Sequence, residues 1–422
     1  MKKMTKILAF ALALVLILSL AACGGKIDDT QGAADVVEIE LATFPVGSWG
    51  DQATVEGLIA DFNAVYPDIK VNVTLLAYGG DGDNQIDQRI EANEAPDIIF
   101  EGPERLVAKY GEMGVMVDLA DLMLDEVIDV AKKPCVNAAG AVYEIPLCMT
   151  AHTMAINKTL FEEAGALQYV DVENHTWTTE GFINAVNALA DYGVTDIAEL
   201  FCKGSGGDQG TRALITNLYE GTFAKADHSG YTVNSPENIK AIETLVALPG
   251  FVVNSAHAGG DEATAFAKGQ LAMAFCWNAA THTNNLETIA GAGFEVLPMA
   301  FPSEDGVPEL QGGVWGFGVF DNGDEAKIEA AKTFIKFMTA DDEMYKKAVA
   351  ASGQFTVRDV EGAYAEGDLK NDYAIFLPLF GDYYQVTSKW TEARTAWSNA
   401  LQAIGTGTSA ADALAGFDAE LG

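Results

Sequence analysis

A chain of 422 residues with 61 Asp and Glu against 25 Lys and Arg carries a formal net charge of −36, which excludes nucleic acid as a partner, since phosphate contacts need clustered Lys and Arg. At 49% hydrophobic and 9% aromatic residues it is not disordered, and it is too long for one core, so two lobes are expected. The acidity reads as a solvated, mutually repelling surface.

In chain order, MKKMTK leads into the apolar run ILAFALALVLILSL, which ends at Leu20-Ala21-Ala22-Cys23-Gly24-Gly25. Lys2, Lys3 and Lys6 form a positive start and the run stops at small residues, so 1–22 reads as a secretory signal peptide. The Leu-Ala-Ala-Cys ending resembles the lipobox of bacterial lipoproteins, which implies that Cys23 becomes a diacylated amino terminus. Acyl chains bury at about 0.8 kcal/mol per methylene, so such an end would hold the protein on the extracellular face of the cell membrane. Residues 23–35 are then the lipidated cysteine and a flexible, polar tether.

From Val37, VEIELAT reads as a strand that breaks at Phe44-Pro45. Val55, Leu58, Ile59, Phe62 and Val65 recur at helical spacing until Tyr66-Pro67-Asp68 stops them. KVNVTLL from Lys70 is a second strand, and a polar helix from Gln85 to Asn93 leads to a third at Pro96-Asp97-Ile98-Ile99-Phe100. Two successive βαβ units make the class α/β with parallel strands. Ligands should then bind beyond the carboxyl ends of those strands, at loops 44–51, 77–84 and 101–105. Further on, Ala141 to Pro146 reads as a strand and Thr178 to Tyr192 as a helix, with a strand-and-helix set at 270–300. Gly312 to Phe320 is a glycine-spaced buried strand, followed by helices at Glu325–Met338 and Ser388–Ile404.

Catalytic patterns are missing. VGSWG and KGSGG lack the first glycine of GxSxG, the glycines at 204, 206 and 210 miss the dinucleotide spacing, and no GKS or GKT occurs. Asp81-Gly82-Asp83-Asn84 hints at calcium without the downstream ligands of a full loop. Apart from Cys23, the cysteines Cys135, Cys148, Cys202 and Cys276 lie among apolar neighbours and outside any CxxC, so buried free thiols are expected. Trp49 and Trp315 sit in glycine-flanked segments, Trp277 ends a strand and Trp390 opens a late helix. Flat aromatic faces suit the C–H faces of pyranose rings, with Asp, Glu, Asn and Arg bonding the hydroxyls, so these tryptophans point to carbohydrate; core packing is the alternative for each. Trp177 is assigned to packing.

FNAVYPDIKVNV, APDIIFEGPERLVAKYGEMGVMVDL, GAVYEIPLCMTAHTMAINKTLFEEAGA, TWTTEGFINAVNALADYG, AFAKGQLAMAFCW and AAKTFIKFMTADDEMYKKAVAASGQFTVR together resemble, in order and spacing, the family 1 extracellular solute-binding proteins of ABC importers, in their maltose-binding-protein-like form. The resemblance implies a two-lobed periplasmic-binding-protein-like fold of type II with the ligand cleft between lobes: 36–148 plus 314–346, and 149–313 plus 347–422. It implies a monomeric, non-enzymatic receptor without cofactor or metal, which takes a mono- or oligosaccharide and hands it to the permease subunits. Glu104 and Arg105 stand where the family often has an Asp-Arg pair. Thr150 stands where its maltose binders carry an acid, and Trp277 and Trp390 fall on their stacking positions. Glu101 replaces an aromatic there. Trp49, Trp277, Trp315 and Trp390 are thus candidate platforms, with Asp81, Glu101, Arg105 and Thr150 as polar contacts and His152 and Arg358 as further ones. Two rivals stay open: the same scaffold holding a peptide, polyamine or organic anion, in which case Asp81, Asp83, Glu101 and Glu104 would face a cation, and a secreted glycoside hydrolase.

Overall fold

Strand β1 (Val37–Thr43) pairs in parallel with β2 (Ile69–Leu75) on one side and β3 (Ile98–Glu101) on the other, as the two βαβ units require. The computed structural model describes residues 36–78, 81–227, 229–381, 387 and 389–421; the signal peptide, Cys23 and the tether lie outside the described residues. Helix α1 (Gln52–Val65) starts where Asp51 accepts the Thr54 N–H at 2.9 Å and buries Val55, Leu58, Ile59 and Phe62, the stripe read from the sequence. Helix α2 (Asp81–Glu91) begins four residues before the expected Gln85.

The first sheet has six strands in the order β11-β4-β10-β3-β1-β2. Its middle is β10 (Gly312–Val319), antiparallel to β3 on one edge and to β4 (Ile145–Ala151) on the other, with a bulge between Trp315 and Gly316. The strand expected at 141–146 therefore lies later. Val142 is spent in a single bridge to Val136, across a turn whose N–H groups at Ala139 and Ala141 bond the Asn137 side chain. Helices α6 (Glu325–Ala340) and α7 (Asp342–Ser352) cover this sheet. The short β11 (Phe355–Thr356) pairs with Met149 and Cys148 of β4. The lobe boundary expected after 346 falls inside α7, ahead of this strand.

The second sheet is β8-β5-β9: β5 (Thr153–Asn157) between β8 (Met273–Trp277) and β9 (Val296–Met299), all antiparallel. Helix α3 (Thr179–Tyr192) is capped by Thr178 and closed by Gly193 in the left-handed region. Helix α4 (Gln209–Leu218) and the parallel pair β6 (Ala198–Phe201) and β7 (Phe251–Asn254) follow in this half, with α5 (Ala279–Ala292) between β8 and β9. Helix α8 (Trp390–Gly405) packs on β7.

Only His152 separates β4 in the first sheet from β5 in the second. Gly312 and Gly313 run beside this crossing, opposite Ala151 and Thr150. A Cβ on Gly312 would overlap the Thr150 carbonyl, so glycine there lets two backbones cross in contact.

Candidate functional site

The carboxyl ends of β1, β2 and β3 gather one charged cluster, where the open-sheet rule placed it. Phe44, just after β1, stacks on Tyr78, just after β2, with ring centroids 5.4 Å apart. The Arg105 guanidinium lies 4.7 Å from the Phe44 centroid and 5.8 Å from that of Tyr78. Its Nε and Nη2 donate to the two Asp83 oxygens at 2.6 and 3.0 Å, and Nη1 donates to Glu101 at 2.7 Å and to Glu104 at 3.4 Å. Tyr78 donates its hydroxyl to the second Glu101 oxygen at 3.2 Å. One cation thus serves three carboxylates, and the planar fork of Arg suits that geometry where Lys would not.

Burial first, then the Glu104 charge, pushes the Glu101 carboxyl up to about 8, against the pull of Arg105. Glu104 is raised too, by burial, with Arg105 opposing. Beneath the cluster, Glu144 is fully buried and neither of its oxygens has a hydrogen-bond partner among the described residues. It lies against the β10 bulge, where a Cβ on Gly316 would come within 2.8 Å of its Cγ. Burial, followed by the charges of Glu104 and Glu101, holds its proton well above the carboxylate range.

A second cluster sits at the amino ends of α4 and α8, where unpaired N–H groups favour negative charge, such as that of Asp208, and hydrogen-bond acceptors. Here one buried carboxylate serves two guanidinia. Asp208 accepts from Arg394 Nη2 at 2.8 Å and Nε at 3.1 Å, and pairs with Arg212 Nε at 3.2 Å. Arg394 also donates to the Ser205 carbonyl. Trp390 is half-buried, with Arg212 4.6 Å and Arg394 5.7 Å from its ring, backed by Tyr231 and Phe223 at 6.0 and 6.4 Å. His152, on the crossing, holds Nε2 3.0 Å from the Gln209 amide nitrogen. Burial and then the Arg212 charge lower its imidazole to about 4, so the neutral ring accepts from Gln209. Glu104 and Arg394 each feel the other's charge, so the two clusters face one another within electrostatic reach.

Several expected site residues are elsewhere. Trp49 is fully buried between Phe100 and Phe317, at 4.5 and 5.5 Å, and donates Nε1 to the Ala348 carbonyl at 3.0 Å. Trp277 is fully buried as well, packed on Phe266 at 5.0 Å and donating to the Tyr373 hydroxyl at 2.8 Å. Neither offers a free face here. Thr150 is buried inside β4 opposite Gly313. Asp81 is exposed at the start of α2, and Asp83 takes its place against Arg105; that ion pair also occupies a carboxylate which the calcium reading needed. Arg358 donates to Asp342 at 2.8 Å and to the Thr339 carbonyl over the Tyr345 ring, a structural role. Trp177 donates to the Ala300 carbonyl in the core, as assigned. The four described cysteines are free thiols, three buried and Cys276 half-buried.

Of the rest, Arg105, Trp315 and Trp390 are half-buried, while Glu101 is buried with its two oxygens taken by Arg105 and Tyr78. Phe44, Tyr78, Asp208, Gln209, Arg212 and Arg394 were not singled out in the sequence. The signal was there for two pairs: Asp208 with Arg212 and Trp390 with Arg394 are four apart and so share a helix face.

The family description "Bacterial extracellular solute-binding protein" matches residues 47–345. No curated protein matches. Among solved structures, the fold is similar to the GacH receptor of Streptomyces glaucescens, solved unliganded and with acarbose (15% identity, 91% of this chain and 97% of that one, TM-score 0.68). It is similar to the cyclic alpha-maltosyl-1,6-maltose binding protein of Arthrobacter globiformis (20% identity, 91% and 97%, TM-score 0.69). A family 1 extracellular solute-binding protein of Bifidobacterium longum subsp. infantis is also similar (17% identity, 91% and 98%, TM-score 0.70). At such identities the likeness speaks for the two-lobed α/β fold alone. With more than half of its length matched by the family, the chain belongs to the bacterial extracellular solute-binding proteins.

Proposed function

We propose that this protein captures a carbohydrate between the Arg105 and Trp390 clusters and delivers it to the permease of an ABC importer, with Cys23 as its lipid anchor on the extracellular face of the membrane. The observation that carries the reading is the pairing of a half-buried tryptophan with facing, fixed charges: Trp390 for a pyranose face, and Glu104, Arg105, Asp208 and Arg394 for hydroxyls. Charged groups make the stronger hydrogen bonds to neutral ligands. The sugars bound by the GacH receptor and the Arthrobacter protein support the class. Binding would favour the closed arrangement by contacts to both lobes, and no covalent bond would change.

The test is a thermal-shift and calorimetric screen of residues 24–422 against neutral mono- and oligosaccharides, with peptides, polyamines and organic anions alongside. Ligand at about 100 times its Kd adds roughly 2.7 kcal/mol of stability. A selective response to one glycan series, with no product formed, is expected. A response confined to polyamines would favour the second reading, a cationic solute, which the three carboxylates around Arg105 favour over an anion. Metabolic labelling with an alkynyl fatty acid, lost in Cys23→Ser, checks the anchor.

A further inference from the structure

Four carboxyls crowd the first cluster around one guanidinium. Asp83 comes from α2, Glu101 from the end of β3, Glu104 from the segment after it and Glu144 from the residue ahead of β4. Arg105 pairs with the first three at 2.6, 2.7 and 3.4 Å. Gly316 explains the crowding: it stands opposite Glu101 on one edge of β10 and opposite Pro146 on the other, and Glu144 lies against the same glycine. At this level β10 therefore places no side chain between the two acids.

Carboxylates that share a site cannot all ionise, and a buried charge with no partner neutralises instead. Glu144 is the extreme member, fully buried with both oxygens unpartnered among the described residues. The groups packed around the cluster bring it little positive charge. Burial keeps the Tyr78 and Tyr110 phenols and the Cys135 thiol neutral, and Lys109 is paired with Asp87. Arg394, on the facing cluster, is the cation that acts on Glu104 besides Arg105, and it draws that proton off. Solute hydroxyls donated to Glu104 favour its charged form as well, and closure of the lobes on a solute brings Arg394 nearer.

Resting on the carbohydrate reading, we propose that solute capture is proton-linked: the Glu101–Glu104 pair holds a proton in the empty receptor and releases it as a neutral sugar binds and Arg394 approaches. Glu144 keeps its own proton throughout and so spares the cluster a fourth negative charge. Because the bound state holds the proton less tightly, affinity rises with pH, by up to about tenfold per pH unit for one proton. The rise levels off above about 8, where Glu101 has already lost its proton in the empty protein. A receptor so built loads best in a mildly alkaline medium and releases solute as the medium turns acid.

The experiment titrates the full mature chain, by calorimetry, with neutral gluco-, galacto-, manno- and xylo-oligosaccharides at neutral pH in Tris and in phosphate, whose ionisation enthalpies differ. A neutral sugar has no proton to give, so extra heat evolved in Tris counts protons leaving the protein, and about one is expected. Repeated across pH, the titration should show affinity rising towards about pH 8 and flat beyond it. Glu104→Gln, uncharged at every pH, should abolish the release, whereas Glu144→Gln should keep both the affinity and the rise. A glycan that binds with equal heat in the two buffers, or with a proton taken up, would overturn the proton link and leave the carbohydrate reading standing; that result needs no variant. A rise flattened by Glu144→Gln would overturn the assignment to the Glu101–Glu104 pair. Silence from every series would overturn both readings.

Discussion

The two faces of the site solve one problem with opposite signs. On the first sheet, Arg105 is shared by Asp83, Glu101 and Glu104; beside α4 and α8, Asp208 is shared by Arg212 and Arg394. A charge buried without a partner is costly. On the second face two guanidinia share one carboxylate and leave it positive, whereas on the first burial holds protons on Glu101 and Glu104 and so limits the negative charge that Arg105 must meet.

Removing the single shared cation should have the largest effect. Arg105→Met leaves three carboxylates without their partner and is expected to cost about 3–5 kcal/mol and all measurable binding. Arg394→Met leaves Arg212 on Asp208 and should cost about 1–2 kcal/mol. Urea unfolding of both variants measures this, and equal losses would break the asymmetry.

The tryptophans sharpen the same contrast. Trp49→Ala and Trp277→Ala should each cost about 3–5 kcal/mol of stability as core truncations, whereas Trp390→Ala should keep most of the fold and lose at least tenfold in affinity. Paired unfolding and binding curves decide it; a stable Trp277→Ala with weakened binding would return that ring to the site.

Proton linkage should run in opposite directions on the two faces. Glu144 holds its proton in the fold well above the ordinary carboxylate value, so the native state binds the extra proton and stability falls as pH rises above about 4.5. Glu144→Gln should flatten that slope. His152, lowered to about 4, is neutral in the fold, so stability falls as pH drops from about 6.5 towards 4. His152→Gln should remove this acid limb, and melting temperatures across pH 4–9 report both. The smallest effect is a null: with all four described cysteines free, a reductant should leave the melting temperature unchanged.

Periodicity carried most of the fold. The α1 stripe, the three parallel strands and the caps at Asp51 and Thr178 follow local rules, so their residues announce them. The charged cluster was legible where a strand end fixed it, at Glu101 and Arg105. It was not legible from glycine-flanked tryptophans. At Trp49 the flanking glycines serve backbone contact: Gly47 has φ +56° and a Cβ there would overlap the Ser352 carbonyl, while one on Gly50 would meet Pro45. That closeness drives the indole inwards. Asp208 and Arg394 lie 186 residues apart, and no local pattern announces such a pair.

The place of β10 also bears on how the protein comes to be. β3 and β4 are neighbours only through this strand, which arrives after residue 311. A nascent chain that has already emitted β1 to β4 therefore holds an unclosed sheet until three quarters of the polypeptide has appeared. Closing it spans a long loop, so assembly is slow and late. A fragment that ends before residue 312 would leave β3 and β4 without the strand that joins them.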